Sequence, residues 1–279
     1  MCSSTARFNR HRAWVVARTD LLQIYRSRDF WMPLFVIAAL FFVALPALLF
    51  GSLTNLADQS LVQQIGDIVD TLPASIQQQV EGDAPNVQAA YAMAVCLFAP
   101  LAIIVTLTGR SAIGSHTIVG ERERGSGEFL AHSPATEQEI FVGKMLAALL
   151  PGYAVEVVGF ACYSIVVNVI VGPKVGGWFF PTANWWMLVL WVVPPFLALV
   201  VALILRISAR VSSAAAAQQS SALITLPLVI GAYGMASASL ARAGGFIALV
   251  GLGAWCIAAL ALWRGIKAVR RERLLGLGG

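Results

Sequence analysis

Apolar residues gather into six long runs, at about 31–51, 90–108, 145–171, 185–205, 220–240 and 245–263, and the stretches between them hold nearly all the charge. Each run is close to the roughly 20 residues that a helix needs to cross a hydrocarbon core. The pattern predicts an all-α integral membrane protein with six transmembrane helices, residues 1–279 forming a single transmembrane domain. Composition agrees: 58% hydrophobic and 12% charged residues do not suit a soluble domain of 279 residues.

The distribution of basic residues sets the expected topology. Of 19 Lys and Arg, all but Lys174 and Arg242 fall in the amino-terminal segment, in the connections after the second and fourth runs, or in the tail 264–279. Cytoplasmic loops carry an excess of Lys and Arg, and an even number of spans puts both ends on one side. Both termini are therefore expected in the cytoplasm of a bacterial plasma (inner) membrane. The net charge of +5 reads as topology signal and phospholipid head-group contact, not as a nucleic-acid footprint. The first 30 residues hold six arginines and no compact apolar core ending in small residues, so the first span itself is expected to direct insertion.

Two segments outside the runs also show helical periodicity. In 5–28, Trp14, Leu21, Leu22, Ile24 and Tyr25 share one side, while Arg12, Thr19, Gln23 and Arg26 share another, and Arg18 interrupts the apolar side. An amphipathic helix in the cytoplasmic interface fits this pattern, and a solvated basic tail is the alternative. The stretch 52–88, expected to be an external loop, has five acidic and no basic residues. Within it Leu61, Ile65, Ile68, Val69 and Leu72 recur at helical spacing before Pro73, which predicts a short amphipathic helix. Cation capture or simple avoidance of positive charge outside would each explain its acidity. Pro194, Pro195 and Pro227 fall inside runs and predict kinks.

Candidate metal and redox chemistry is thin. The cysteines Cys2, Cys96, Cys162 and Cys256 and the histidines His11, His116 and His132 are scattered singly, without metal-ligand spacing. No metal site and no directly bound cofactor are expected. An intramembrane protease would need a His within a span or an HExxH pair, and neither is present. Inside the runs, Glu156 is the exceptional ionisable residue, with Tyr153 one turn before it and Tyr163 and Asn168 further on. A carboxylate at that depth must face protein or water. Glu156 and Tyr153 are candidates for the pathway or for a polar switch between helices; a structural hydrogen bond is the plainer reading.

The segment 120–139 carries the densest pattern. Gly120, Glu121, Arg122, Glu123, Arg124 and Gly125 form a charge-alternating run, followed by Ser126, Gly127, Glu128 and Leu130, then Pro134. Thr136 with Glu139 three residues later predicts a capping box for the third span, with Glu137 and Glu139 against its positive end.

This stretch, continued by Glu139-Ile140 and Gly143-Lys144, resembles the signature of ABC-2 type permeases, the membrane subunits of a class of ATP-binding-cassette exporters with a type V-like fold. Ala216-Ala217-Gln218-Gln219-Ser220-Ser221 and Leu226-Pro227 resemble that family's approach to the fifth span. Ser126 stands where Thr is usual and Gly127 where Leu is common. The resemblance implies that 120–139 contains a cytoplasmic coupling helix, with Gly120 to Gly125, Ser126 and Glu128 meeting a nucleotide-binding ATPase subunit. It implies two ATPase copies, which would bind ATP and Mg, and a second permease copy or a paralogue. The chain has no phosphate-binding loop of its own, so it is expected to be a non-catalytic subunit. A drug, lipid or other amphiphile is the expected cargo, with sodium ions or a peptide as alternatives. The rival class is an ion-coupled secondary transporter, for which one intramembrane Glu is slender support.

Overall fold

The computed structural model describes residues 8–26, 28–56, 59–70, 80–98, 133–208 and 244–268, together with Gln77, Gln219 and Ile230. Every regular element among them is helical. In chain order these are α1 (Arg10–Arg26), α2 (Arg28–Ala39), α3 (Leu45–Gly51), α4 (Gln59–Asp70), α5 (Pro85–Ala92), α6 (Glu137–Ile170), α7 (Gly172–Val175), α8 (Ala183–Met187), α9 (Val193–Ser208) and α10 (Gly244–Ala268). Single π-helical turns at Leu40–Ala44, Ser52–Leu56, Met93–Leu97 and Leu188–Val192 join or extend them.

Among the described residues, four stretches are long and apolar enough to cross a membrane: Leu34–Asn55, Glu137–Ile170, Ala183–Leu203 and Gly245–Arg264. They fall on the first, third, fourth and sixth apolar runs. The second run is described only as far as Phe98, and the fifth, apart from Ile230, lies outside the described residues.

Two of the π turns sit where a proline would otherwise strike a carbonyl. A proline ring strikes the carbonyl four residues earlier in a regular helix. Those carbonyls belong to Phe42 for Pro46, and to Leu190 and Trp191 for Pro194 and Pro195; all three lie within the turns Leu40–Ala44 and Leu188–Val192. The wider turn moves the carbonyl aside, so each span rewinds through its proline instead of breaking.

The core gathers around one aromatic cluster. Phe50 of α3, Phe98, Phe160 and Tyr163 of α6, Phe180, and Trp185 of α8 are all buried. Phe180 and Trp185 meet edge to face with centroids 4.9 Å apart, and Phe98 stacks on Tyr163 at 5.5 Å. The polar edges are satisfied: Tyr163 Oη donates to the Ala94 carbonyl at 3.0 Å, and Trp185 Nε1 to that of Val95 at 2.8 Å. Phe42 lies directly over Gly159, where a Cβ would come within 2.4 Å of its ring, so a glycine lets the first span approach α6 closely.

Asn168 secures the turn beyond α6. Its Nδ2 donates to the carbonyls of Ser164 and Phe180, at 2.8 and 2.6 Å, and its Oδ1 accepts from the backbone N–H of Phe179 and Phe180, at 3.0 and 3.1 Å. At the same end Lys174 donates to the Thr54 carbonyl and to Asn55 Oδ1, tying α7 to the close of the first span. The predicted short helix before Pro73 is present as α4; it buries Ile65 and rests Leu61, Val62 and Val69 on the core.

Candidate functional site: the docked amino-terminal helix

Gly120, Glu121, Arg122, Glu123, Arg124, Gly125, Ser126 and Glu128 lie outside the described residues. What the structure does place is the other half of the same signature, Pro134 to Lys144, in which Pro134, Glu139, Gly143 and Lys144 meet α1 or the residue before it.

α6 begins at a capping box. The Glu139 amide donates to Thr136 Oγ1 at 3.3 Å, and the Thr136 amide donates to Glu139 Oε2 at 2.8 Å. The second carboxylate oxygen is not idle: Glu139 Oε1 accepts from the Asn9 amide at 2.7 Å. Asn9 in turn caps α1, its Oδ1 accepting from the His11 amide at 2.9 Å. One fully buried carboxylate thus joins the amino-terminal ends of two helices 130 residues apart. Both ends carry partial positive charge, which suits the anion between them.

Three further contacts continue the seam. Arg12 Nη1 donates to the Pro134 carbonyl at 2.8 Å. Ile140 is buried. Gly143 lets α1 in: a Cβ there would lie 2.7 Å from the Ala13 carbonyl oxygen and 2.8 Å from Val16. Lys144 Nζ meets Asp20 Oδ2 at 3.3 Å, its own side chain 1% exposed. The face that α1 buries is a narrow stripe of Ala13, Ala17 and Asp20. Trp14, Leu22 and Tyr25, which the sequence pattern assigns to the apolar side, are turned outward at 49, 48 and 76% exposure.

The 34 residues of α6 make a rod of roughly 51 Å at about 1.5 Å per residue. A hydrocarbon core is about 30 Å thick. The surplus is about the length of chain against which α1 is seated. Chemically the site offers no nucleophile or ion cage; structurally it is a capped helix with a second helix fastened along it.

The two pathway candidates lie further along α6. Tyr153 Oη donates to the Val189 carbonyl at 3.4 Å, reaching the π turn before α9, and Glu156 is buried at 2% exposure one turn on. The structure places these two one turn apart on α6, beyond the contacts of Gly143 and Lys144 with α1. Asp20 and Asn9 were not singled out by sequence; the signal present was the Ala13–Ala17–Asp20 spacing opposite Gly143-Lys144.

Residues 14–246 match the family described as ABC-2 family transporter protein. The chain belongs to that family. It is a multi-pass membrane protein of the ABC permease class, and membership implies an ATP-binding partner. No curated protein matches the chain.

Proposed function

We propose that the chain is the membrane half of an ATP-driven exporter, non-catalytic itself, working as a pair of permeases with two separate ATPase subunits that bind ATP and Mg. The observation that carries this is the start of α6: Glu139 and Lys144 fasten α1 to the same end of the helix that receives residues 120–136. A push delivered through Gly120 to Gly125, Ser126 and Glu128 would enter a helix whose first turn is fixed by its capping box. It would pass to α1 and, through α2, to the first span. Transmission of that kind needs a rigid joint, which a merely solvated loop would not have. The six-span layout, the interfacial position of α1, cytoplasmic termini and a bacterial inner membrane complete the proposal, with Glu156 and Tyr153 lining the pathway or switching between helices. The apolar spans favour an amphiphilic cargo such as a lipid or drug over a sugar polymer.

Co-purification of the chain with its ATPase, followed by reconstitution in vesicles, tests the reading. Vanadate-sensitive ATP turnover and nucleotide-dependent cargo movement are expected. Cargo movement by the permease alone, driven by a proton or sodium gradient, would favour the secondary-transporter reading instead.

A further inference from the structure

Beside the seam, α1, the start of the first span and α6 enclose an open groove of about 320 Å³, lined by Arg18, Leu21, Ile24, Tyr25, Trp31 and Pro151. Its wall is almost wholly apolar, with the exposed Arg18 among the residues that form it, and Leu22 completes it. Arg18 forms no hydrogen bond or ion pair with another described residue; the nearest acid on the same helix, Asp20, is held by Lys144. Arg26 and Arg28, at the far end of α1 and the beginning of α2, are likewise without an ion-pair partner among the described residues. The groove therefore joins an apolar trough to uncompensated positive charge.

Its place in the chain narrows the occupant. The first span begins at Leu34, three residues after Trp31, so the groove lies where a span meets the head-group layer. Tyr and Trp concentrate at that depth, and basic residues there attract anionic lipid. A guanidinium binds a phosphate through paired N–H donors, while an acyl chain fills an apolar trough without any hydrogen-bonding demand.

We propose that this groove binds one anionic phospholipid, its phosphate on Arg18 and an acyl chain along Leu21, Ile24 and Pro151. A zwitterionic lipid offers the same phosphate but sets its own cation beside Arg18, so the site discriminates by the net charge of the head group. Bound there, the lipid would bridge α1 and α6.

The test is native mass spectrometry of the full chain released from micelles containing equal phosphatidylglycerol and phosphatidylcholine. Wild type is expected to retain phosphatidylglycerol in preference by about fivefold, the ratio that one basic residue facing an anionic head group supports. Arg18→Gln should bring the two lipids to parity, Arg18→Lys should keep most of the preference, and Ile24→Trp, which fills the trough, should lose both lipids. Equal retention by wild type, or an unchanged preference in Arg18→Gln, overturns the proposal. Displacement of phosphatidylglycerol by millimolar inorganic phosphate would also overturn it, marking a site for a free anion. The readout needs neither ATP nor cargo, so its failure leaves the permease reading untouched.

Discussion

Asp20 and Lys144, 124 residues apart in sequence, meet as a buried ion pair at 3.3 Å, with side chains 11% and 1% exposed. Two charges withdrawn from water in this way hold each other in register, and removing Lys144 strands the Asp20 carboxylate. Truncating one partner of a buried pair costs about 3–5 kcal/mol, whereas replacing both with apolar residues of similar volume is often near neutral.

Asp20→Ala and Lys144→Ala should each lower the thermal midpoint of the detergent-solubilised protein markedly, by a loss of about 3 kcal/mol. The double change Asp20→Leu with Lys144→Met should recover most of it. If the double variant loses as much as the two single losses added together, the pair is not coupled and α1 is held by other contacts.

Glu139 serves two helices and Thr136 only one. Loss of a cap alone costs about 1 kcal/mol. Thr136→Ala should therefore speed amide hydrogen exchange in the first turn of α6 only. Glu139→Ala should speed it there and along Arg10–Arg26 as well. Equal protection of α1 in both variants would show that the Asn9 amide does not depend on that carboxylate.

Asn168 uses both ends of its amide on the Phe179–Phe180 backbone. Asn168→Ala would leave two buried or half-buried backbone N–H groups without their acceptor, at about 1–3 kcal/mol each. Asn168→Asp would keep the acceptor but set a carboxylate against the Phe180 and Ser164 carbonyls. Both variants should melt below wild type; a wild-type midpoint in either would mean that the turn is held by its aromatic packing alone.

Glu156→Gln keeps volume and hydrogen-bonding capacity while removing the capacity to ionise. Transport by this variant should fall while the melting midpoint stays close to wild type. Transport and midpoint both unchanged would remove any special place for the carboxylate.

Much of this architecture is legible in the residue pattern. The apolar runs at 31–51, 145–171, 185–205 and 245–263 coincide with the four described spans, and Thr136 with Glu139 is the capping box that the spacing predicts. Two things were hidden for the same physical reason: charge was read as exposure. Lys144 counts as a loop cation in a topology tally, yet it is buried because Asp20 answers it. The helix of the third span starts eight residues before its apolar run, since Glu137 to Lys144 spend their charges on a cap, on Asn9 and on Asp20. The amphipathic reading of 5–28 found a helix but not the face it buries. Alanine contributes little to an apolar count, and it is alanine that allows close packing at Ala13 and Ala17. At Pro194 and Pro195 the expected kink is a π turn, a distinction that composition does not carry. The run Gly120 to Glu128 lies outside the described residues, and its role rests on resemblance.

The most direct trial of the central claim is paired measurement of ATP turnover and cargo transport in vesicles holding the permease and its ATPase, for wild type and for Glu123→Ala with Arg124→Ala. The account predicts a double variant that assembles and hydrolyses ATP but no longer moves cargo. Transport at the wild-type rate in that variant would contradict it.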